Sequence, residues 1–523
     1  MRLLSIMNAF RLHRLACLAL LVIAGGLPWG STVAETNGGD VRSRVVRIRV
    51  VKNVFQTAAP WATSRVQEEF GTGLLVASGH VLTSLELVRF AISAEVFLPD
   101  GPRVPRPAEV SVQGADCGLA LLKLTDSATE EPTETAGEET GEQEAAPAES
   151  VDSDTLQYFS FVGEAADVRA VRPNSVLAVG ATASGLEQRQ LILTAIERDL
   201  IENSDIDRRW LLRFQESAAG PPETFRGGPV LVDGKLAGIL ASRSGPAYAI
   251  EVGVVKAFLA DAADREYQGL SFPGFAYDPI DGAAMRRYLG LGQTGEGVYI
   301  RRVDFRSPAW QRLEAGDILL SVNGAAVTQD AAVNAGEGTN LDLGEYFSGL
   351  RGEVTLKLKR GSRDLEIKIE ARPFSGLSMA RRRLEDRRRY FLTAGLVFQE
   401  LDYDLIHDTS AGRDALLRHR YENFGHDRIG EAVDRDVVLV SRLEDPINNG
   451  AGRFINAVVH RINGRRVRNL MDFAVEWKRT RGEYVVVEFL DHAAPLILAK
   501  RDLPVADERV DRRYQVQENG RVR

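Results

Sequence analysis

The stretch "GGPVLVDGKLAGI", residues 227 to 239, constrains the fold more than any other. Two short apolar runs flank Val-Asp-Gly-Lys, a tight-turn signal, so a hairpin is predicted to join Val230 to Leu236. The same grammar runs through the preceding 180 or so residues, as counted from strand spacing. "RVVRIRVV", "GTGLLVA", "HVLTSLELV", "SAEVFLPDG" and "LALLKL" are β-rich runs bounded by Gly, Pro and Asp between residues 44 and 124. Strands resume with "YFSFVG", "SVLAVGA", "RQLILTAIE" and "WLLRFQ", and a helix-like piece, "GVVKAFLADAADRE", follows the hairpin. Closely spaced strands of this kind predict a barrel or sandwich over residues 44–265.

Two further regions follow one plan. In residues 270–375, "GEGVYIRRVDFRSPAWQRLEAGDILLSVNGAAV" gives strand, small turn helix and strand, ending at Asn-Gly. "EVTLKLKRGSRDLEIKIEA" then alternates as a hairpin. Residues 388–505 repeat this loosely, with "DVVLVSRLEDPINNGAGRFINAVVHRINGRRVRNLMDF" again ending a strand at Asn-Gly. Two copies of one β-rich plan predict tandem modules. Residues 506–523 read as a tail. "SMARRRLEDRRRYF" joins the copies and reads as a solvated connecting helix, the other reading being a basic patch for an anionic surface.

A chain of 523 residues is too long for one core. Its net charge of −8 argues against a general nucleic-acid binder. Residues 1–34 look like an export signal: arginines, then "LACLALLVIAGGL", then small residues ending at Ala34. The expected location is periplasmic or secreted, the alternative being an uncleaved anchor. With the signal removed, Cys117 is the one remaining cysteine, which excludes an intrachain disulfide and a cysteine-built zinc site. The seven histidines are scattered and form no ligand pair, and no phosphate-binding glycine loop occurs, so no metal or cofactor is expected. Residues 125–155 hold no Lys or Arg and almost no large apolar side chain, which predicts a disordered acidic loop. A docking tail for a basic partner is the alternative.

This order of parts resembles the Deg/HtrA family of secreted and organellar serine proteases, a chymotrypsin-like double β-barrel followed by PDZ domains. "SPAW…LEAGDILLSVNG" and "GGPVLVDGKLAGI" carry the resemblance, and "YFLTAGLVFQELDYDLI" with "AVVHRINGRRVRNLMDF" is similar to the plant-type branch whose last PDZ-like domain diverges. The implied fold is mainly β, two barrels followed by two PDZ-like α+β domains. The family's "VLTNAHxV" segment carries the catalytic base. Here it reads "VLTSLELV", with Glu86 in the histidine's place. The aspartate of "DIALLK" is Gly118, in "CGLALLK". The nucleophile of GNSGGP is Arg226, and the glycine that helps shape the oxyanion hole is Thr224.

An arginine offers no lone pair for attack, and a serine needs a base beside it. His80 reads as a turn residue, Asp116 lies two residues from the lost aspartate with no histidine to orient, and Ser217 is too far from the turn. The resemblance therefore implies a protease homologue without a triad, acting as a scaffold, a quality-control factor or a regulator of an active relative. A serine endopeptidase with a site elsewhere, or a structural oligomer, are the alternatives. Implied partners are unfolded proteins or peptide C-termini, and the family's trimers suggest a homo-oligomer. The peptide-binding loop maps to "FPGF", with Phe272, Gly274 and Phe275 as its binding residues. Pro273 removes one N–H donor from it. Glu86 and Arg226, long and oppositely charged, are expected to clasp each other across the former cleft.

Overall fold

The structure, a computed structural model, describes residues 44–523 except 78, 99–103, 126–175, 216–220, 242–246, 264–266, 293–294, 335–339, 374–377, 385–387, 424–433, 519 and 523. The export signal, the acidic loop from residue 126 onward and Ser217 lie outside the described residues.

Six strands close a barrel: β1 (Val45–Val54), β2 (Arg65–Ala77), β3 (His80–Ser84), β4 (Ala91–Phe97), β5 (Arg106–Gly114) and β6 (Leu119–Leu124), in the order β1-β2-β3-β6-β5-β4 with β4 back on β1. Period two does the sorting. Along β1, Val46, Ile48 and Val50 are fully buried while Arg47 and Arg49 between them are part-exposed. Lys52 falls on the same inner face as Ile48 and Val50, so its ammonium is carried into the interior, with 4% of the residue exposed.

The next seven strands are β7 (Val176–Thr182), β8 (Gly185–Leu191), β9 (Leu193–Leu200), β10 (Arg208–Phe214), β11 (Pro229–Val232), β12 (Lys235–Ala241) and β13 (Tyr248–Glu251). They form a sheet ordered β8-β7-β11-β12-β13-β10-β9. This sheet is the second barrel, although no ladder joins β8 to β9 among the described residues. The two end strands are instead linked by Ile192 alone, so the sheet must curl round until its ends meet at that corner. The predicted hairpin is present. Asp233 and Gly234 both take positive φ, 49° and 77°, the turn that matches the twist of paired strands. The core between the two sheets includes Leu74, Leu82, Leu211, Ile239, Ile250 and Phe258, the last from the helix Val252–Asp261.

In the third region, β14 (Phe275–Asp278), β15 (Val298–Val303) and β16 (Ile318–Val322) lie in a sheet with the hairpin Gly352–Arg360/Arg363–Ala371. β14 is its end strand, and the helix Leu343–Ser348 packs beside it. The last region holds a three-stranded and a four-stranded sheet sharing a core of Phe391, Phe398, Phe454, Phe473 and Trp477.

Two sequence expectations change here. The joining segment is not a solvated helix. After one turn at Ser378–Ala380 it runs without helix through the described residues, and its arginines turn inward: Arg381 to Asp207, Arg382 to Asp408 and Arg383 to Asp402. Those acids lie distant in sequence or in another module, so charge counting along the segment does not reveal them. The tail is also structured. The helix Leu503–Tyr514 buries Leu503, Ala506 and Val510, and Gln517 N–H donates to Trp61 of the barrel at 2.9 Å.

Candidate active-site region

The turn that names this region is built from backbone bonds. Thr224 lies in a single 3-10 turn, Glu223–Phe225, ahead of Gly227 and Gly228. Arg226 C=O accepts the Thr72 N–H at 2.8 Å, and the Thr72 hydroxyl donates to Thr224 C=O at 2.6 Å. A Cβ on Gly227, which sits at φ 83°, would run into Thr83 and the Thr72 carbonyl. Only glycine permits this approach between the two barrels.

The N–H groups of the turn all point inward. Arg226 N–H donates to Glu223 C=O at 3.1 Å, Gly227 N–H to Leu240 C=O at 2.8 Å and Gly228 N–H to Phe225 C=O at 2.9 Å. An oxyanion hole needs donors aimed at the reacting carbonyl. Here the N–H at the nucleophile position is already spent on its own turn.

The side chains form a buried charge network. Glu86 sits in the first turn of the helix Leu85–Val88, directly after β3. Its carboxylate accepts two bonds from Arg89, Nε at 3.1 Å and Nη2 at 3.2 Å, and a third from Asn203 Nδ2 at 3.0 Å. Burial raises its pKa, but Arg89, Lys52 and Arg382 together outweigh burial and hold the carboxyl below its ordinary value. Arg226 Nη1 reaches Glu69 at 3.4 Å, and Lys52 Nζ holds the same Glu69 oxygen at 2.7 Å while donating to Glu86 C=O at 3.2 Å. Where a direct Glu86–Arg226 clasp is expected from the sequence, the structure sets Glu86 against Arg89 and Arg226 against Glu69, with Lys52 linking the two pairs. Sequence reasoning missed Lys52, Glu69 and Asn203. The parity of β1 was the available signal for Lys52.

Gly118 takes φ 73° and its carbonyl accepts Leu85 N–H at 2.9 Å, so this position favours glycine on backbone grounds. Asp116 is occupied elsewhere, accepting from Tyr267 Oη at 2.6 Å and Leu270 N–H at 2.7 Å with Arg209 at 3.6 Å. His80 opens β3, opposite Lys123. Burial pushes the Cys117 thiol far up, which keeps it an unreactive thiol.

In the third region, Phe272 N–H donates to Arg372 C=O at 3.3 Å, and Gly274 takes φ 79° with its carbonyl accepting from Asp304 N–H and the Ser307 hydroxyl. Phe275 begins β14. Pro273 has no N–H, so two of the loop's four positions have no free donor to offer a carboxylate.

Residues 380–520 match the family described as PDZ domain. The chain is similar to Protease Do-like 4, mitochondrial, of Arabidopsis thaliana, 23% identical over 433 residues, 82% of this chain and 75% of that one. It is likewise similar to Protease Do-like 2, chloroplastic, of the same plant, 24% identical over 478 residues, 88% and 72% of the two chains. Among solved structures it is similar to the HtrA-type protease AlgW with decapeptide, at 17% identity and TM-score 0.42, over 64% of this chain and 97% of that one.

Proposed function

We propose that this chain, a homologue of the Deg/HtrA-like proteases, binds peptides and unfolded protein without hydrolysing them. The observation that carries the reading is the Arg226 N–H, which donates to Glu223 C=O and so is turned from any substrate carbonyl. The side chains argue the same way. The base position holds a carboxylate gripped by Arg89, and the nucleophile position holds a guanidinium. A serine–base–acid relay needs each member within hydrogen-bond reach of the next. The PDZ match over residues 380–520 supports peptide binding. Unfolded chains, peptide C-termini and an active relative are the partners this reading names, with a homo-oligomer as the assembly. Export rests on the signal-like residues 1–34. A mature N-terminus near residue 35 in protein purified from the export compartment checks it.

The test of inactivity is incubation of the full chain with unfolded casein and a serine-directed probe. No cleavage and no labelling are expected. Arg226→Ser is expected to stay inactive too, because neither base nor oriented N–H returns with the hydroxyl. Cleavage with one probe bound per chain would establish an endopeptidase with a site elsewhere.

A further inference from the structure

β14 and the helix Leu343–Ser348 bound a groove, and among the described residues no strand pairs with the other edge of β14, which ends its sheet. At one end, the Phe275 ring meets Phe347 edge-on, centroids 5.7 Å apart. Tyr277, two residues along and on the same face, marks the other end. Its hydroxyl donates to Asp342 at 3.1 Å and accepts from Gly344 N–H at 3.1 Å. Into this end comes Arg198 from β9 of the second barrel. Its Nη1 donates to Tyr277 Oη at 2.8 Å and to the Asp342 carboxylate. A Cβ placed on Gly344 would fall on the guanidinium, so glycine is what admits it. The fit is incomplete. Arg198 Nε is buried with no hydrogen-bond partner among the described residues.

We propose that Arg198 is an internal occupant of this groove, and that the peptide which displaces it carries lysine or arginine at the third residue from its C-terminus. The proposal rests on the peptide-binding reading and adds the side chain selected. A peptide joining the open edge of β14 alternates its side chains as a strand does. With its terminus at the loop Phe272–Phe275, its last side chain meets Phe275 and Phe347. The side chain two residues earlier faces the same way and reaches Tyr277 and Asp342. Once Arg198 leaves, Asp342 is a part-buried carboxylate that needs a cation. A glutamate there would meet like charge. Peptide binding and the seating of Arg198 are therefore alternatives.

The experiment measures fluorescence anisotropy of fluorescein-labelled decapeptides against the full chain. The peptides end in leucine and carry Lys, Ala or Glu at the third residue from the end. The Lys peptide is expected to bind wild type about tenfold more tightly than the Glu peptide, a difference of about 1.4 kcal/mol. Arg198→Ala is expected to tighten the Lys peptide about tenfold again. Arg198→Met, which keeps much of the packing stem, serves if the alanine variant unfolds. Asp342→Asn keeps a helix-capping oxygen and is expected to erase the Lys preference. Equal binding of Lys and Glu peptides by wild type, or unchanged affinity in a folded Arg198 variant, overturns the proposal and leaves peptide binding standing. If no peptide binds any variant, the peptide-binding reading falls, and this proposal with it.

Discussion

Glu86 takes its role from the groups that surround it. It sits in the place where the family resemblance expects a base, yet its carboxylate is held by two bonds from Arg89 and one from Asn203. Such a group stabilises the fold through its charge. Its folded pKa lies below the ordinary 4.5, so the stabilisation is present above that value and is lost as pH falls through the folded value. Glu86→Gln strands the Arg89 charge in a buried site and is expected to cost roughly 3–5 kcal/mol at pH 7. Urea unfolding of both proteins from pH 7 down to about pH 3 checks this, because the gap must narrow in acid. A gap that is constant over that range refutes the ion-pair argument. The sequence made Glu86 and Arg226 legible as a candidate site because the family resemblance places them at motif positions. It did not make their partners legible. Arg89, three residues on, follows from helix spacing. Glu69 depends on the register of β2, and Asn203 comes from a loop in the other sheet.

At the scale of elements, the strands were readable wherever alternation or a turn signal fixed them, as in β1 and the β11–β12 hairpin. The helix Val252–Asp261 was readable too, but its cap was not. Glu251 ends β13, caps that helix by accepting Gly253 N–H at 2.6 Å, and is 1% exposed. Burial pushes its pKa up to about 7, against the opposing pull of the Gly253 bond and Lys256. An acid raised in the folded state favours folding fully below its unfolded value, and that contribution is lost as pH rises through about 7. The penalty on ionisation approaches roughly 3 kcal/mol. Glu251→Gln is expected to flatten the stability profile between pH 5 and 8, so that the variant gains on wild type toward the alkaline end. Parallel profiles in thermal denaturation count against a buried, late-ionising carboxyl. The joining segment after Ala371 was the element least legible. Its arginines look solvated in one dimension because the acids they meet among the described residues are brought by other elements.

At the scale of the whole molecule, that segment is one tie between the second sheet and the last module. Asp207, between β9 and β10, is 1% exposed and takes two bonds from Arg381, at 2.6 and 2.9 Å. Two residues earlier, Asp205 binds His407 at 2.8 Å and Tyr421 at 2.6 Å, both from the last module. Burial raises the Asp205 pKa, but these two hydrogen bonds and the His407 and Arg418 charges bring it below its ordinary value. Asn203 C=O accepts Arg382 N–H at 2.8 Å, and Asn203 itself holds Glu86. Residues 203–207 of this loop therefore tie the region of Glu86 to the last module, and the loss of one clasp should be felt in cooperativity as well as in stability. Asp207→Asn leaves Arg381 buried against a neutral amide, which is expected to cost roughly 3–5 kcal/mol. The loss falls on the seam, while the core of the last module, centred on Phe398, Phe454 and Phe473, is untouched. Urea unfolding followed by tryptophan fluorescence is then expected to split. Trp477 reports the last module and Trp210 the second sheet. Wild type should show one transition for both signals. In the variant, replacing every tryptophan but one by phenylalanine, once to keep Trp210 and once to keep Trp477, should give two midpoints. Coincident midpoints in the Asp207→Asn protein would mean that the apolar contacts of Trp61 and Tyr390, not the arginine clasp, couple the modules.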